Sequence, residues 1–206
     1  VNSAQYIVTA TDQYGCTSTD AASVIVSSPD FTLAATPNVI CQGASTTLTA
    51  THAALSFCQP YYSQGTYEGD YISLVTIPGT TLNNTSVGEA APYYILYPSS
   101  GSTTATLTAG STYTLTIGAG SYNYNNLAAW IDYDNNGQFY NALEKIGEST
   151  GLGAGANANF VFTVPSYAQN GNVRLRVREA WNYTNIDPCA AAGYGETEDY
   201  ELTITG

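Results

Sequence analysis

Apolar and polar residues alternate along most of this chain with a period of two, in short runs broken by clusters of Gly, Pro, Asn and Ser. In the run Tyr113, Leu115, Ile117 the intervening positions are Thr112, Thr114 and Thr116, so one side is set for burial and the other for water. The same pattern predicts strands near residues 5–10, 22–27, 31–35, 46–51, 71–77, 93–97, 103–108, 112–117, 128–133, 158–164, 172–179 and 199–205. Helical periodicity is nearly absent. A short helix is weakly signalled near residues 140–145, and the GLGAGANA run at 151–158 reads as a loop. Many short strands separated by turn signals predict an all-β fold, an antiparallel, jelly-roll-like β-sandwich.

Composition narrows what such a fold would do. Only 10% of residues are charged, and Thr, Ser, Asn, Gly and Tyr solvate the surface instead. Four basic residues against sixteen acidic ones give a net charge of −12. Nucleic acid and anionic membranes both require clustered Lys and Arg, so neither is an expected partner. No apolar run long enough to span a membrane is present, and direct membrane insertion is not expected. The absence of Met points to a mature product or a piece of a longer polypeptide. Cys16, Cys41, Cys58 and Cys189 form no C-x-x-C pair, which argues against zinc and redox motifs. Their even number favours two disulfides and an oxidising, extracellular compartment. Three connectivities remain open from spacing alone.

From residue 57 to 205 the chain resembles the GEVED domain of secreted Bacteroidota-type proteins. The motifs that carry the resemblance are Cys58 with the following YYSQGTYEGDYISLVTI, then AWIDYDNNGQF, VPSYAQNGNVRLRVR, DPC at 187–189 and GETEDYEL at 195–202. The last has Thr197 where the family name has Val. The resemblance implies a β-sandwich module appended to exported proteins, without catalysis of its own, and a Cys58–Cys189 disulfide. Ahead of it, YIVTATDQYGCTSTDAASVIV from residue 6 and FTLAATPNVICQGASTTLTA from residue 31 resemble closing and opening pieces of PKD-like, immunoglobulin-like repeats of bacterial surface proteins. That family bridges the two motifs within a repeat, which implies a Cys16–Cys41 pair. The expected organisation is a small immunoglobulin-like β portion over 1–55 and a GEVED-like sandwich over 56–206.

Three constellations could carry chemistry. Asp132, Asp134, Asn136 and Gln138 place oxygens at alternate positions around Gly137, matching the first half of a calcium loop. A hard cation needs several converging oxygens, and Gly permits the sharp turn. The usual terminal Glu falls on Leu143, with Glu144 one residue late, so this is no EF-hand. The missing carboxylate is expected from Glu196, Glu198 or Asp199. A metal-free Asn/Asp/Gly turn is the competing reading. Second, Arg174, Arg176 and Arg178 alternate on one strand face and form an expected ion-pair ladder with the acids of the GETEDYE stretch; an anionic-ligand site is the alternative. Third, Tyr122, Asn123, Tyr124, Asn125, Trp181 and Tyr183 are candidates for a glycan platform, against the plainer account that Tyr suits wet sheets.

Catalysis finds little support. His52 is alone, no nucleophile or zinc-hydrolase motif occurs, and Glu68 with Asp70 reads as an ordinary surface turn. The expectation is a non-catalytic structural or adhesive module of a large cell-surface or secreted protein, stabilised by Ca2+. Its partners would be neighbouring repeats or other copies of the same surface protein, and surface glycans. The alternatives are a filament subunit assembled by strand exchange and a carbohydrate-binding appendage of a secreted hydrolase.

Overall fold

A computed structural model of the chain describes residues 4–11, 17–24, 31–36, 47–52, 56–139 and 143–206, together with Gly15 and Ser45. The chain divides into two compact units, Val1–Leu55 and Ser56–Gly206. In the first, β1 (Ala4–Thr11) pairs antiparallel with β2 (Thr17–Val24), and β3 (Phe31–Thr36) with β4 (Thr47–His52). Gly15 takes a positive φ of 85° in the connection between β1 and β2, a conformation that suits Gly. The expected Cys16–Cys41 bridge lies outside the described residues, as do residues 140–142 of the expected helix. The described remainder of that helix is a turn at Leu143 and Glu144 leading into a strand at Lys145.

Among its described residues the second unit contains eleven strands: β5 (Tyr62–Gly65), β6 (Ile72–Thr76), β7 (Asn83–Thr85), β8 (Tyr94–Leu96), β9 (Thr106–Thr108), β10 (Thr112–Ala119), β11 (Asn125–Ile131), β12 (Lys145–Leu152), β13 (Asn157–Thr163), β14 (Gly171–Ala180) and β15 (Ala192–Thr205). One sheet runs β13-β10-β6-β7 and the other β12-β11-β14-β15-β5, with β8 and β9 also paired to β15. The chain is thus almost wholly β, as its period-two pattern predicts. Among the described residues no helix is long and apolar enough to cross a membrane.

β15 organises the larger sheet. Its GETEDYE residues, expected to precede a strand beginning near residue 199, lie inside it. One edge pairs antiparallel with β14 over ten registered positions, from Gly171↔Ile204 to Ala180↔Gly195. The other edge is covered in turn by β5, β8 and β9, all parallel to it. These three short segments register with eight of the fourteen positions of this edge, and the Thr104 hydroxyl donates to the Glu201 carbonyl between them, so most of the edge is covered.

Alternation along β14 separates two interiors. Val173, Leu175 and Val177 face the core between the sheets, with Leu127, Ala129, Ile131, Tyr200, Leu202 and Ile204 from the larger sheet and Ile72, Val75, Leu115 and Ile117 from the smaller. The opposite face of the larger sheet, which simple alternation would leave wet, is also covered. Tyr62, Ala128, Trp130, Phe139, Ala180, Ile186 and Ala192 form a second apolar cluster there. This explains why β11 is buried at all seven positions and shows no alternation. The disulfide Cys58–Cys189, with Cα atoms 5.6 Å apart, ties together the chain segments that lead into β5 and β15.

Candidate functional site

The Asp132 loop follows directly from β11. Ile131 donates its amide to the Glu144 carbonyl at 3.0 Å, and the Tyr133 amide donates to Glu144 Oε1 at 3.0 Å, so Glu144 closes the loop on both sides. Asp132 Oδ1 accepts from the Asn136 amide (3.0 Å) and Oδ2 from the Gly137 amide (2.8 Å). Gly137 has φ +82°, which turns the chain sharply enough for those amides to point back. One carboxylate oxygen from each of Asp132, Asp134 and Glu144 lies within 4.8 Å of the other two, and all three residues are buried. Asp134 Oδ1 has no hydrogen-bond partner. Burial, reinforced by the Asp134 charge and only partly offset by the two loop amides, pushes Asp132 up to about 7.

This geometry corrects two sequence-based expectations. The third carboxylate comes from Glu144, because the loop closes on a strand rather than a helix and so does not follow EF-hand spacing. Glu196, Glu198 and Asp199 lie two strands away on β15 and are engaged elsewhere. Gln138 is exposed, and only its amide contributes, donating to Asn136 Oδ1 at 2.8 Å. Asn136 itself donates to Asp134 Oδ2 (2.8 Å), so it buttresses the loop instead of adding a free oxygen.

The GETEDYE residues act as staples. Glu196 accepts the amides of Ile72 and Glu89, both at 2.6 Å, and thereby anchors the start of β6 in the smaller sheet to β15 in the larger. Glu198 accepts hydroxyls from Ser86 (2.8 Å), Tyr200 (2.6 Å) and Tyr97 (3.3 Å). Burial raises Glu196 to about 8, with the Glu198 charge second, and raises Glu198 to about 7 against the pull of its hydroxyl donors. Gly195 has φ +123°, and a Cβ there would stand 2.1 Å from the Glu179 carbonyl, so no other residue fits.

The arginine ladder resolves into three different environments. Arg176, fully buried, makes bidentate bonds to Asp199 (Nε–Oδ1 and Nη2–Oδ2, both 2.8 Å), donates to the Pro188 and Cys58 carbonyls, and lies 4.7 Å from the Phe139 ring centre. Arg174 reaches the same Asp199 at 3.2 Å and covers the Phe57 ring at 4.4 Å. Among the described residues Arg178 has no carboxylate bond: it donates to the Tyr62 hydroxyl at 2.8 Å and to the Asp187 carbonyl. The expected Arg–acid ladder therefore reduces to one acid shared by two arginines. Glu196 and Glu198 project to the inner face of the sheet, and Glu201 bonds Asn172 at 3.0 Å. Backbone register alone could not reveal this, because Arg174 stands opposite Glu201 yet reaches diagonally to Asp199.

A cleft of about 280 Å³ opens elsewhere on this unit, lined by Glu68, Asp70, Tyr122, Trp181 and Tyr194. Trp181 meets Tyr122 and Tyr194 edge-on, with centroids 6.4 and 5.9 Å apart. Of the expected glycan platform, Tyr122 and Trp181 line the cleft. Tyr124 and Tyr183 are exposed but do not line it, while Asn123 is spent on structure, accepting from the Ala154 amide (3.2 Å) and, through its carbonyl, from Trp181 Nε1 (3.1 Å). Asn125 is fully buried and corrects the expectation outright: its amide donates to the Tyr122 carbonyl at 2.7 Å. Tyr194 had no distinguishing sequence signal, and Glu68 and Asp70, weighed as a carboxylate pair, were expected on a surface turn; Asp70 is instead 1% exposed.

Residues 126–203 match the family model of the GEVED domain. The match covers the strands that carry the Asp132 loop, the arginines and the GETEDYE staples, and marks an extracellular type of module found within larger proteins. It does not extend to the first 55 residues. No curated protein matches the chain.

Proposed function

We propose that this GEVED-type module is a non-catalytic structural or adhesive element of a bacterial surface or secreted protein, and that calcium held by Asp132, Asp134 and Glu144 stabilises it. The observation that carries the calcium reading is the convergence of three buried carboxylates, one of which, Asp134, keeps an unpartnered oxygen. Gathering three negative charges out of water is costly unless they are protonated or meet a cation. All-oxygen donors suit a hard ion such as calcium, which collects oxygens at about 2.3–2.6 Å. Bound there, the ion would neutralise the loop and pin the end of β11 to the start of β12.

The test is thermal unfolding in millimolar calcium and in excess EDTA. An ion present at a hundred times its Kd stabilises by about 2.7 kcal/mol, which corresponds to roughly 5–11 °C for a unit of this size. Asp134→Asn keeps the side-chain shape and should shrink that response. If wild type and Asp134→Asn respond identically to calcium, the loop is only a turn.

A second reading, a glycan-binding appendage, is favoured by the aromatic and acidic lining of the cleft. Ring faces stack on sugar C–H surfaces while carboxylates accept from hydroxyls. Retention on an insoluble polysaccharide, lost in Trp181→Ala, would support it. Absence of retention on every polysaccharide tried would leave the structural reading standing by itself.

A further inference from the structure

Five buried side-chain oxygens among the described residues lack a hydrogen-bond partner: Asp134 Oδ1 in the loop above, and Asp70 Oδ1, Asn125 Oδ1, Glu179 Oε1 and Glu179 Oε2. The last four belong to chain segments that lie next to one another at one end of the sandwich. Glu179 continues the inward series Val173, Leu175, Val177 on β14. Asn125 precedes Leu127 by two positions on β11, and Leu127 stands opposite Glu179. Asp70 lies two residues before Ile72, whose amide bonds Glu196, the cross-strand neighbour of Glu179. The chain at Asp70 also meets the chain at Asn125: the Gly69 carbonyl accepts from the Tyr122 amide (3.3 Å), and the Tyr122 carbonyl accepts from Asn125 (2.7 Å).

All three residues are 0–1% exposed. Their charges act on one another, since burial first and then the Asp70 and Glu196 charges hold Glu179 well above the usual carboxylate range. The Asn126 amide and the Arg178 charge offset that rise only in part. No guanidinium bonds them, because Arg174, Arg176 and Arg178 project from the other face of β14. A buried Asn oxygen left empty, on the strand paired with that of a buried and unpartnered carboxylate, is the pattern expected where a cation completes the group.

We propose that Asp70, Asn125 and Glu179 form a second site for a hard divalent cation such as calcium, one that ties the two sheets together beneath the aromatic cleft. Asp70 belongs to the segment entering β6 of the smaller sheet, while Asn125 and Glu179 belong to the larger, so the ion bridges the layers where the apolar core gives way to acids. Asp70 also lines the cleft, which gives the ion its entry path. The site is independent of the Asp132 loop and stands or falls separately from it.

The experiment counts calcium per chain on the intact, metal-depleted protein by equilibrium dialysis, and measures stability of the same variants with calcium and with EDTA. Wild type should bind one more ion than Glu179→Gln, whereas Asp134→Asn should retain the Glu179-dependent ion. The stability comparison should change sign. In EDTA, Glu179→Gln removes a buried acid that no cation bonds and should melt at or above wild type; in calcium it loses a ligand and should melt below it, with affinity at that site reduced at least about tenfold. Two acids that merely share a proton would make Glu179→Gln equal or more stable under both conditions, with unchanged stoichiometry, and that result overturns the proposal. Loss of an ion in Asp134→Asn alone would do the same while sparing the first site.

Discussion

Breaking the Arg176–Asp199 pair should be among the most damaging single changes available to this module. Both side chains are fully buried and joined by two bonds of 2.8 Å. Replacing Asp199 with Asn keeps the shape but leaves the Arg176 guanidinium charged, out of water, and without its anion. Removing one partner of such a pair typically costs about 3–5 kcal/mol. Here the upper half of that range is expected, because Asp199 also accepts from Arg174 (3.2 Å) and from the Tyr94 hydroxyl (2.9 Å), and all three donors lose their acceptor charge together. For a unit of about 150 residues the melting temperature should fall by roughly 8–20 °C. Both tryptophans, Trp130 and Trp181, lie in this unit, so tryptophan fluorescence in a urea titration follows its unfolding selectively. The double change Arg176→Met with Asp199→Leu should cost clearly less than the sum of the two singles, since neither charge is then stranded. A loss below about 1 kcal/mol for Asp199→Asn, or strict additivity in the cycle, would refute the claim that these residues act as one buried unit.

The remaining expectations concern other staples. In excess EDTA the module should become less stable as pH rises from about 5 to about 8: Glu196 and Glu198 hold their protons to about 8 and about 7 when folded but lose them near 4.5 when unfolded, so the native state binds more protons throughout that window. A melting temperature that climbs over this range would show that the two acids are better solvated than their burial implies. Reducing Cys58–Cys189, which closes a separation of 131 residues, should cost about 4–5 kcal/mol in the chain-entropy model, read as a shift of the urea midpoint with and without reductant. Gly195→Ala should destabilise by more than 2 kcal/mol or so, because it combines a positive φ with a Cβ driven into the Glu179 carbonyl; a neutral outcome in the same titration would mean β14 and β15 can separate freely.

Sequence alone determined the class of this protein. Period-two alternation and turn residues dictate strands wherever one face is buried, and residues 112–117 became β10 for that reason. Asp and Asn at alternate positions before Gly137 dictated a tight oxygen-lined loop, because those side chains bond the very amides the turn exposes. Low charge, many Tyr and even cysteines pointed to the oxidising exterior. What escaped the sequence was decided by contacts between distant strands. β11, buried on both faces, carries no alternation to read, and β12 hides in a run without strong apolar signals. Likewise, the expectation that acids near 132 and 198 would meet failed because β14 stands between their strands and its arginines face the side that Asp199, but neither Glu196 nor Glu198, shares. Parity along a strand assigns each acid to a face, yet only the packed sheets decide which face is roofed by aromatic rings and which is sealed against the other sheet. Thus Glu144, Asp70 and Glu179 acquired their significance in three dimensions, since the cost of a buried charge depends on what surrounds it and not on its neighbours in the chain.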